Sequence, residues 1–408
     1  MTERRARDFG RVLAAESVSN FGSMLSRLAI PWIATLMLAA TPLQMGWLRV
    51  ADVLAGAAGS LLLGSLVDRR RKRTVMLASD GLRAALFAGL AVLAWAGLLP
   101  FWALLAAAAA AGLLTMAFEL ARSAWMAQRL EAAELPTRNA QLSVTASLSE
   151  TVAFALGGWL FQAFGGVVAL AVDALSYAVS ALCLRGVADA PAAAVAVSTH
   201  GVLRRFWHEA ADGLRAVASR PALRALAGVE VLLAASMSLS ATSYMIFVSR
   251  DTGLPTGWLG LIFAAGGLGS VAGAALAPAL GRRFGPGWAM TLGLAVFAAG
   301  ALFVPLIAAP GWAAAALLLA QQIVGDAGHS VHDVHDRSLR QTAVPAALLA
   351  RADAGIRAAG QLATLAGAIG GGWLATALGT RSALWLAAAL AAGASLLAGL
   401  TLAPRKPA

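Results

Sequence analysis

The ten residues Gly64-Ser65-Leu66-Val67-Asp68-Arg69-Arg70-Arg71-Lys72-Arg73 decide the fold, because they place five consecutive basic side chains between two long apolar runs. The preceding run covers about residues 43–66, and the following run covers about residues 74–98. Each run is long enough to cross roughly 30 Å of hydrocarbon as an α-helix. Five adjacent cations cannot be buried in a bilayer, so the stretch is predicted to connect two membrane-spanning helices.

The composition of the whole chain also indicates a membrane protein. Hydrophobic residues make up 60% and charged residues 12%, whereas an ordinary soluble domain has roughly 45–50% and 25%. The apolar runs are continuous and do not alternate, which favours helices over a β-barrel. The net charge of +11 does not indicate nucleic-acid binding, because the basic residues concentrate in short connections between apolar runs. Cys183 is the single cysteine, which excludes an intramolecular disulfide.

Charged, Gly and Pro breaks divide the chain into twelve predicted spans. They cover about residues 12–38, 43–66, 74–98, 101–127, 138–163, 166–185, 223–248, 255–280, 287–308, 311–336, 347–377 and 380–402. The first apolar run is too long for a signal-peptide core, so we expect it to be retained as the first span. The predicted fold class is therefore an all-α membrane protein with twelve transmembrane helices.

The basic residues predict the orientation of these spans. Most of the 31 Lys and Arg residues fall in the N-terminal arm, the C-terminal tail and alternate connections, whereas the opposite connections hold only Arg250 and Arg381. Positive charge marks the cytoplasmic side. We therefore expect a multi-pass protein of the inner (cytoplasmic) membrane with both termini in the cytoplasm.

The longest connection divides the spans into two halves. It includes residues 204–214, whose apolar side chains Phe206, Trp207, Ala210 and Leu214 are spaced like one side of a short amphipathic helix. The predicted organisation is a six-helix bundle at 1–190, a cytoplasmic connection at 191–222 and a second six-helix bundle at 223–408.

An internal repeat supports this division. Residues 157–165 read Gly-Gly-Trp-Leu-Phe-Gln-Ala-Phe-Gly at the end of span 5, and residues 371–379 read Gly-Gly-Trp-Leu-Ala-Thr-Ala-Leu-Gly at the end of span 11. The two copies therefore occupy equivalent positions in the two halves, as expected of a pseudo-symmetric transporter fold.

Two six-helix halves, a long cytoplasmic connection and the pattern Gly-x-Leu-x-Asp-Arg-x-x-Lys-Arg resemble the major facilitator superfamily over essentially the whole chain. Three segments are further similar to the branch that contains enterobactin exporters and macrolide efflux proteins. They are Phe118 to Leu130 with Asn139, Glu209 to Leu226, and Ser338-Leu339-Arg340-Gln341.

The resemblance implies a gating role for the loop that follows span 2. The implied motif residues are Gly64, Asp68, Arg69, Lys72 and Arg73. Asp68, with Lys72 or Arg73, would hold the cytoplasmic ends of the halves together in the outward-facing state. The dipole at the N-terminus of span 11 would favour the acid, and Glu119 on span 4 could receive the bases. The alternative is that the loop only enforces topology. Arg71 replaces a second glycine of the family motif, which leaves the turn geometry open.

The same resemblance places spans 1, 4, 7 and 10 around a central cavity, and polar side chains fall on these spans. Ionisable groups at membrane depth cost at least about 2.5–3.5 kcal/mol, so each requires a partner, water or a function. The residues predicted for the cavity or for proton coupling are Arg27, Glu119, Arg122, Glu230, Asp326, His329 and Asp333.

Span 10 carries the densest polar group. Gln322, Asp326, His329, Asp333 and Asp336 recur at intervals of four, three, four and three, which gathers them on one helical face. A His beside a carboxylate titrates near physiological pH, so Asp326 and His329 are candidates for proton coupling. Two alternatives stay open. The polar groups could stabilise the cytoplasmic end of the helix, or the pairs His329/Asp333 and His332/Asp336, each at i, i+4, could bind a metal cargo.

Three other acid–base pairs lie three residues apart within one span: Glu119/Arg122, Arg49/Asp52 and Asp80/Arg83. Local neutralisation is favoured for the last two pairs, whereas the position of Glu119/Arg122 favours the cavity, with Arg122 contacting an anionic substrate group. Glu150 and Asp173 have no local partner, and either could carry a proton.

The sequence therefore predicts a secondary transporter, most simply a proton-coupled exporter of a small amphipathic compound such as a drug, siderophore or secondary metabolite. Its expected partners are a small-molecule substrate, protons and the lipid bilayer, it is expected to be monomeric, and neither cofactor nor resident metal is expected. No phosphate-binding Gly-Lys-Ser/Thr loop or catalytic constellation is present, which argues against ATP-driven transport and against an enzyme. The alternatives are an importer of a nutrient or metal ion, and a membrane receptor or assembly factor that does not transport.

Overall fold

A computed structural model describes residues 3–189, 213, 215, 217–343 and 346–403. The amphipathic segment predicted at 204–214 lies outside the described residues except for Gly213. The side chain of Asp68 also lies outside the described part of the chain, although its backbone ends a helix.

Within the described residues the chain is built from long helices. They are α1 (Glu3–Trp32, extended by a π-helical turn, Ile33–Met37), α2 (Pro42–Asp68), α3 (Lys72–Trp95), α4 (Phe101–Arg129), α5 and α6 (the two limbs, 135–164 and 166–184, of the run Leu135–Leu184), α7 (Pro221–Asp251), α8 (Thr256–Phe284), α9 (Pro286–Phe303), α10 (Trp312–Ala343), α11 (Ala346–Leu378) and α12 (Thr380–Thr401). These helices overlap the twelve predicted spans, although α1 begins nine residues before its predicted span and α10 ends seven residues after its own. The all-α fold class is confirmed.

Seven runs among the described helices are long and apolar enough to cross a membrane by length and composition alone. They are α3, α4, the run that contains α5 and α6, α7, α8, α9 and α12. Among the other helices, α1 and α10 carry groups of charged residues. The charged turns of α1 and α10 are described below as part of the candidate site.

The glycines that close the internal repeat explain why the helices break there. Gly165 has φ 74° and ψ −178°, and Gly379 has φ 89° and ψ 156°. A side chain is strained at such positive φ values, whereas glycine adopts them freely. The repeat therefore encodes the turn that ends α5 in one half and α11 in the other.

The described chain divides into two compact units, 1–39 with 51–202 and 40–50 with 203–408. In the first unit α1 packs along both limbs of the run that contains α5 and α6, and α3 packs against α4 and α6. In the second unit α10 packs between α8 and α9, and α7 packs against α11 and α12. The boundaries at 190 and 222 predicted from the sequence stay a prediction.

Small residues set the distance between packed helices. A Cβ at Gly269 or Gly273 of α8 would overlap the backbone of Ile323 or Ala327 on α10. A Cβ at Gly328 of α10 would likewise lie 2.6 Å from the carbonyl oxygen of Gly293 on α9. Close backbone approach of this kind replaces the hydrophobic driving force that is missing between helices in lipid.

Two glycines on one helix provide a test of this packing. A Cβ at Gly367 would lie 2.8 Å from the carbonyl oxygen of Ala235 on α7, whereas a Cβ at Gly370 has nothing within 4 Å. We expect Gly367→Ala to lower the thermal unfolding temperature of the purified protein, because backbone atoms of α7 must move. Gly370→Ala should leave that temperature unchanged or raise it, since alanine favours a helix by about 0.5–1 kcal/mol over glycine. Equal effects of the two substitutions would contradict glycine-determined packing.

Candidate functional site

The basic loop that follows α2 forms a turn with ordinary backbone angles. Arg71 precedes α3 with φ −65° and ψ 125°, which any residue adopts, and the amide of Arg70 donates to the carbonyl oxygen of Val67 at 3.1 Å. The loop therefore does not require a glycine at position 71. A Cβ at Gly64 has nothing within 4 Å, so close packing does not require that glycine either.

Two bases of this loop are bound to backbone carbonyls of the first unit. Lys72 is fully buried, and its Nζ donates to the carbonyl oxygen of Val67 at 2.8 Å. The Arg73 guanidinium donates to the carbonyl oxygens of Leu184, at 3.3 Å, and Arg185, and its amide donates to Asp189 Oδ1 at 3.2 Å. These contacts attach the loop to the end of α6. The expected pairing of these bases with Glu119, which is exposed, stays a prediction.

Ion pairs join α1 to α4 across the first unit. Arg122 donates to the carboxylate of Glu16, and the two side chains are only 20% and 10% exposed. About two turns away on each helix, the guanidinium of Arg129 lies 3.6 Å from the buried carboxylate of Asp8. From the sequence, Arg122 was predicted to lie beside Glu119 on one helical face and to contact an anionic group of the substrate. Its partner in the structure is on another helix.

Arg27 is the residue of α1 that the sequence predicts for the cavity. Its side chain is exposed, and its guanidinium lies 3.6 Å from the sulfur of Met24.

A second group of ion pairs joins α7, α10 and α11 in the second unit. The Arg340 guanidinium lies 2.9 Å from Glu230 of α7, 2.7 Å from Asp336 of its own helix and 3.9 Å from Asp353 of α11. The Arg340 side chain is 12% exposed. The Arg340 guanidinium thus lies within 4 Å of three carboxylates, one on each of three helices.

The electrostatics keep Arg340 charged. Burial by itself disfavours the guanidinium charge, but Asp336 and Glu230 outweigh that effect and raise the pKa of Arg340 above its ordinary value. A neighbouring pair on the same helix differs, because Arg337 and Asp333, 2.7 Å apart, are 72% and 45% exposed. The predicted cavity residue Asp333 therefore forms a surface ion pair in the second unit.

Towards the middle of α10 the polar residues face neighbouring helices. Gln321 Oε1 accepts from the hydroxyl of Tyr244 on α7 at 2.9 Å. The carboxylate of Asp326 and the amide of Gln322 both lie against Gly266 of α8, where a Cβ would overlap that carboxylate. The absence of a side chain at Gly266 thus leaves the space in which Asp326 sits.

The histidines of α10 lie between that position and the Arg340 cluster. The His329 ring packs 5.6 Å from the ring of Phe297 on α9 and 5.9 Å from the ring of His332. His335 is buried, with its Nε2 2.9 Å from the carbonyl oxygen of Ala277 on α8. Among the described residues, no three His, Cys, Asp or Glu side chains are grouped as metal ligands.

The structure also brings Asp80 and Arg83 of α3 together as a buried ion pair, as their spacing predicts. Ser180 of α6 donates to the other oxygen of Asp80 at 2.6 Å. The same cluster contains Asp173, for which the sequence offered no partner, and its carboxylate accepts from Ser26 of α1 and Ser176 of α6. Glu150, the other acid without a local partner, is exposed.

Sequence reasoning missed Glu16 and Asp8 as members of the site. A signal for them was present, because Asp8 and Glu16 are eight residues apart on α1 and Arg122 and Arg129 are seven apart on α4. Both intervals correspond to about two helical turns. Two acids and two bases at matching separations can pair between adjacent helices.

Together the helices and ion pairs define a class: a multi-pass helical membrane protein whose polar residues join helices within each of two compact units. The chain belongs to the major facilitator superfamily, since the model of that family matches residues 12–332. No curated protein sequence matches the chain.

Solved structures of transporters share this fold at low sequence identity. A bacterial homologue of the iron transporter ferroportin in the inward-facing state has a TM-score of 0.75 and 15% identity, covering 98% of this chain and 99% of that one. The nucleoside transporter NupG has a TM-score of 0.72 and 13% identity, covering 98% and 99%. An auto-inhibited peptide transporter of the POT family has a TM-score of 0.72 and 14% identity, covering 98% of each chain. The protein is therefore a membrane transporter by family, and its fold does not select a substrate.

The Arg340 cluster supports a prediction with a control on the same helix. Arg340→Gln leaves several partly buried carboxylates without their cation, which costs roughly 3 kcal/mol or more. Arg337→Gln removes one partner of an exposed pair that contributes about 0–1 kcal/mol. We expect the first substitution to lower the thermal unfolding temperature in detergent clearly, and the second to leave it nearly unchanged. Equal stability of the two variants would show that Arg340 does not hold the three helices together.

Proposed function

We propose that the protein is a proton-coupled exporter that moves a small amphipathic compound out of the cytoplasm by alternating access. Its two halves would rock about a site near the middle of the membrane, as inverted and parallel repeats allow in secondary transporters. The protein would act as a monomer in the cytoplasmic membrane, with both termini in the cytoplasm. The proton gradient would supply the free energy, because no ATP-binding loop is present in the sequence.

The observation that carries the proposal is the position of Asp326. Its carboxylate and the amide of Gln322 lie against Gly266 of α8, and the residues that flank Asp326 directly in sequence, 323–325 and 327–328, are apolar or glycine. A carboxylate at membrane depth is costly when charged, so such a group binds and releases protons with a large effect on the free energy of the bundle. Asp326 is therefore the proposed coupling acid of the second unit, with His329 one turn away.

The ion pairs around Arg340 and Arg122 have a supporting role in this proposal. Glu230 on α7 and Glu16 on α1 each neutralise an arginine on the next cavity helix of the family, α10 and α4. These two acids are 214 residues apart, the same separation as the Gly-Gly-Trp-Leu copies at 157 and 371. Equivalent ion pairs would thus stabilise both halves while the halves move.

The basic loop is proposed to act in gating through Asp68, as the family resemblance implies. Arg73 supports this, because its contacts with backbone carbonyls hold the loop against the end of α6, and Lys72 joins the start of α3 to the end of α2. Arg69 is exposed at the tip of the loop. A loop fixed in this way presents its charges at a defined place on the cytoplasmic side.

Vesicle transport tests the direction and the driving force. Ethidium, an amphipathic cation, and a macrolide are suitable first probes. An imposed proton gradient should drive accumulation of a probe into inverted vesicles that contain the protein, and empty vesicles are the control. Accumulation only in right-side-out vesicles would indicate proton-coupled import. Failure to accumulate any member of a broad panel, nutrients and metal ions included, in either orientation would favour a receptor.

Two acids on one helix separate coupling from general charge effects. Asp326→Asn should abolish gradient-driven accumulation in inverted vesicles while leaving exchange of probe across the membrane without a gradient. Asp333→Asn is the matched control, because Asp333 is 45% exposed and pairs with exposed Arg337. We expect its transport to stay within about twofold of the original protein, since surface ion pairs contribute little. Full gradient-driven transport by Asp326→Asn would remove Asp326 from the mechanism.

A further inference from the structure

The first unit contains a buried cluster whose charges do not balance. Asp80 and Arg83 on α3 form an ion pair. Two residues of α6 contact this pair, Ser180 at Asp80 and Tyr177 at Arg83, and Asp173 lies one turn from Tyr177 on the same helix. The side chains of Asp80, Asp173 and Arg83 are 0%, 0% and 3% exposed. Two carboxylates and one guanidinium carry a net charge of −1 when all three are ionised.

The partners of the two carboxylates differ. Asp80 accepts from the Arg83 guanidinium and from the hydroxyl of Ser180. Asp173 accepts from two hydroxyls, those of Ser26 and Ser176. The guanidinium of Arg83 has two further contacts, because it donates to the hydroxyl of Thr115 at 3.1 Å and lies 4.3 Å from the ring centroid of Tyr177. Asp173 is therefore the carboxylate without a charged hydrogen-bond donor in this cluster.

Other charged groups near this cluster do not change the balance. On α1, Glu16 pairs with Arg122 of α4, and Arg27 is exposed. Glu150 on α5 is exposed. The Tyr177 hydroxyl, on the same helix as Asp173, lies 2.8 Å from Ser23 of α1.

We infer that Asp173 is a proton-binding site and that its proton is one of those that drive transport. A buried net charge costs several kcal/mol, and binding one proton makes the cluster neutral. The proton belongs on Asp173 because Asp80 is already neutralised by Arg83. The role in transport rests on the proposed function, whereas the occupancy by a proton does not.

The protonation state of Asp173 affects α1, a cavity helix of the family, because the Asp173 carboxyl group contacts that helix. A Cβ at Gly22 of α1 would lie 2.5 Å from Asp173 Oδ1 and would overlap the hydroxyl of Ser176. The carboxyl group of Asp173 thus touches α1 through Ser26 and beside Gly22. Loss of the proton places a negative charge at this contact, which changes the interaction between α1 and α6.

Infrared spectroscopy of the purified protein tests the occupancy directly. Asp326→Asn serves as the original protein in these spectra, so that a protonated Asp326 adds no band. At neutral pH this protein should show the carbonyl band of a protonated carboxylic acid, shifted in heavy water. Asp173→Asn should lose the band. Asp80→Asn should lose it as well, because Arg83 then lacks its acid and ionised Asp173 restores neutrality. Glu150→Gln is the control and should keep the band.

The infrared spectra distinguish a failure of the proposed proton occupancy from a failure of the charge balance. A band that is absent from the original protein, or that persists in Asp173→Asn, overturns the inference. A band that persists in Asp80→Asn overturns the charge balance on which it rests. The Asp80 variant and the original protein each give a result even if Asp173→Asn does not fold.

A transport arm tests the coupling role. In proteoliposomes, Asp173→Asn should retain ethidium exchange but lose accumulation driven by a proton gradient. Gradient-driven accumulation equal to that of the original protein would overturn the coupling role. If the original protein itself shows no response to the gradient, the proposed function fails, while the infrared result still decides whether Asp173 holds a proton.

Discussion

The free-energy cost of charge in a membrane constrains this protein more than any other interaction. Several buried ions in the described helices lie close to an opposite charge: Arg122 with Glu16, Arg83 with Asp80, and Arg340 with Glu230 and Asp336. In lipid such an ion pair contributes more to stability than a surface ion pair does in water, because the alternative is an unpaired charge in hydrocarbon. Asp173 accepts only from hydroxyl groups, so its protonation changes the net charge of its surroundings, whereas the paired acids are already neutralised.

Close helix packing makes these pairs possible. The helices approach through glycine, as at Gly22 between α1 and α6, Gly266 and Gly273 between α8 and α10, and Gly367 between α7 and α11. Short side chains such as Ser26 and Ser180 can reach a carboxylate only when backbones are near. Glycine thus has two functions here: it allows packing without a hydrophobic driving force, and it brings short polar side chains within hydrogen-bonding distance.

The sequence was sufficient for the fold and for local pairs. Continuous apolar runs and the charged breaks between them predicted the helices, and the glycines at 165 and 379 end helices in both halves with positive φ. The Asp80/Arg83 pair followed from its spacing of three residues. Arg71 in place of a glycine of the family motif left the turn geometry open, and its φ of −65° is ordinary.

Spacing alone does not specify pairing between distant helices, because matching separations such as those on α1 and α4 do not show which helices approach each other. Glu16 and Arg122 are separated by 106 residues, and only the folding of the first unit brings them together. Arg340 lies beyond the predicted end of span 10, so its role as the cation shared by Glu230, Asp336 and Asp353 depends on how α7 and α11 approach it. Asp173 had no partner in sequence because its hydrogen-bond donor on α1 is 147 residues away.

The central claim is that substrate movement and proton movement are linked in opposite directions. The direct measurement is the internal pH of proteoliposomes that are loaded with ethidium and diluted into ethidium-free buffer without an imposed gradient. The account predicts that ethidium leaving down its own gradient draws protons inwards, so that the interior becomes acidic faster than in liposomes without protein. Ethidium efflux through the protein with no change in internal pH, or with alkalinisation, would contradict it.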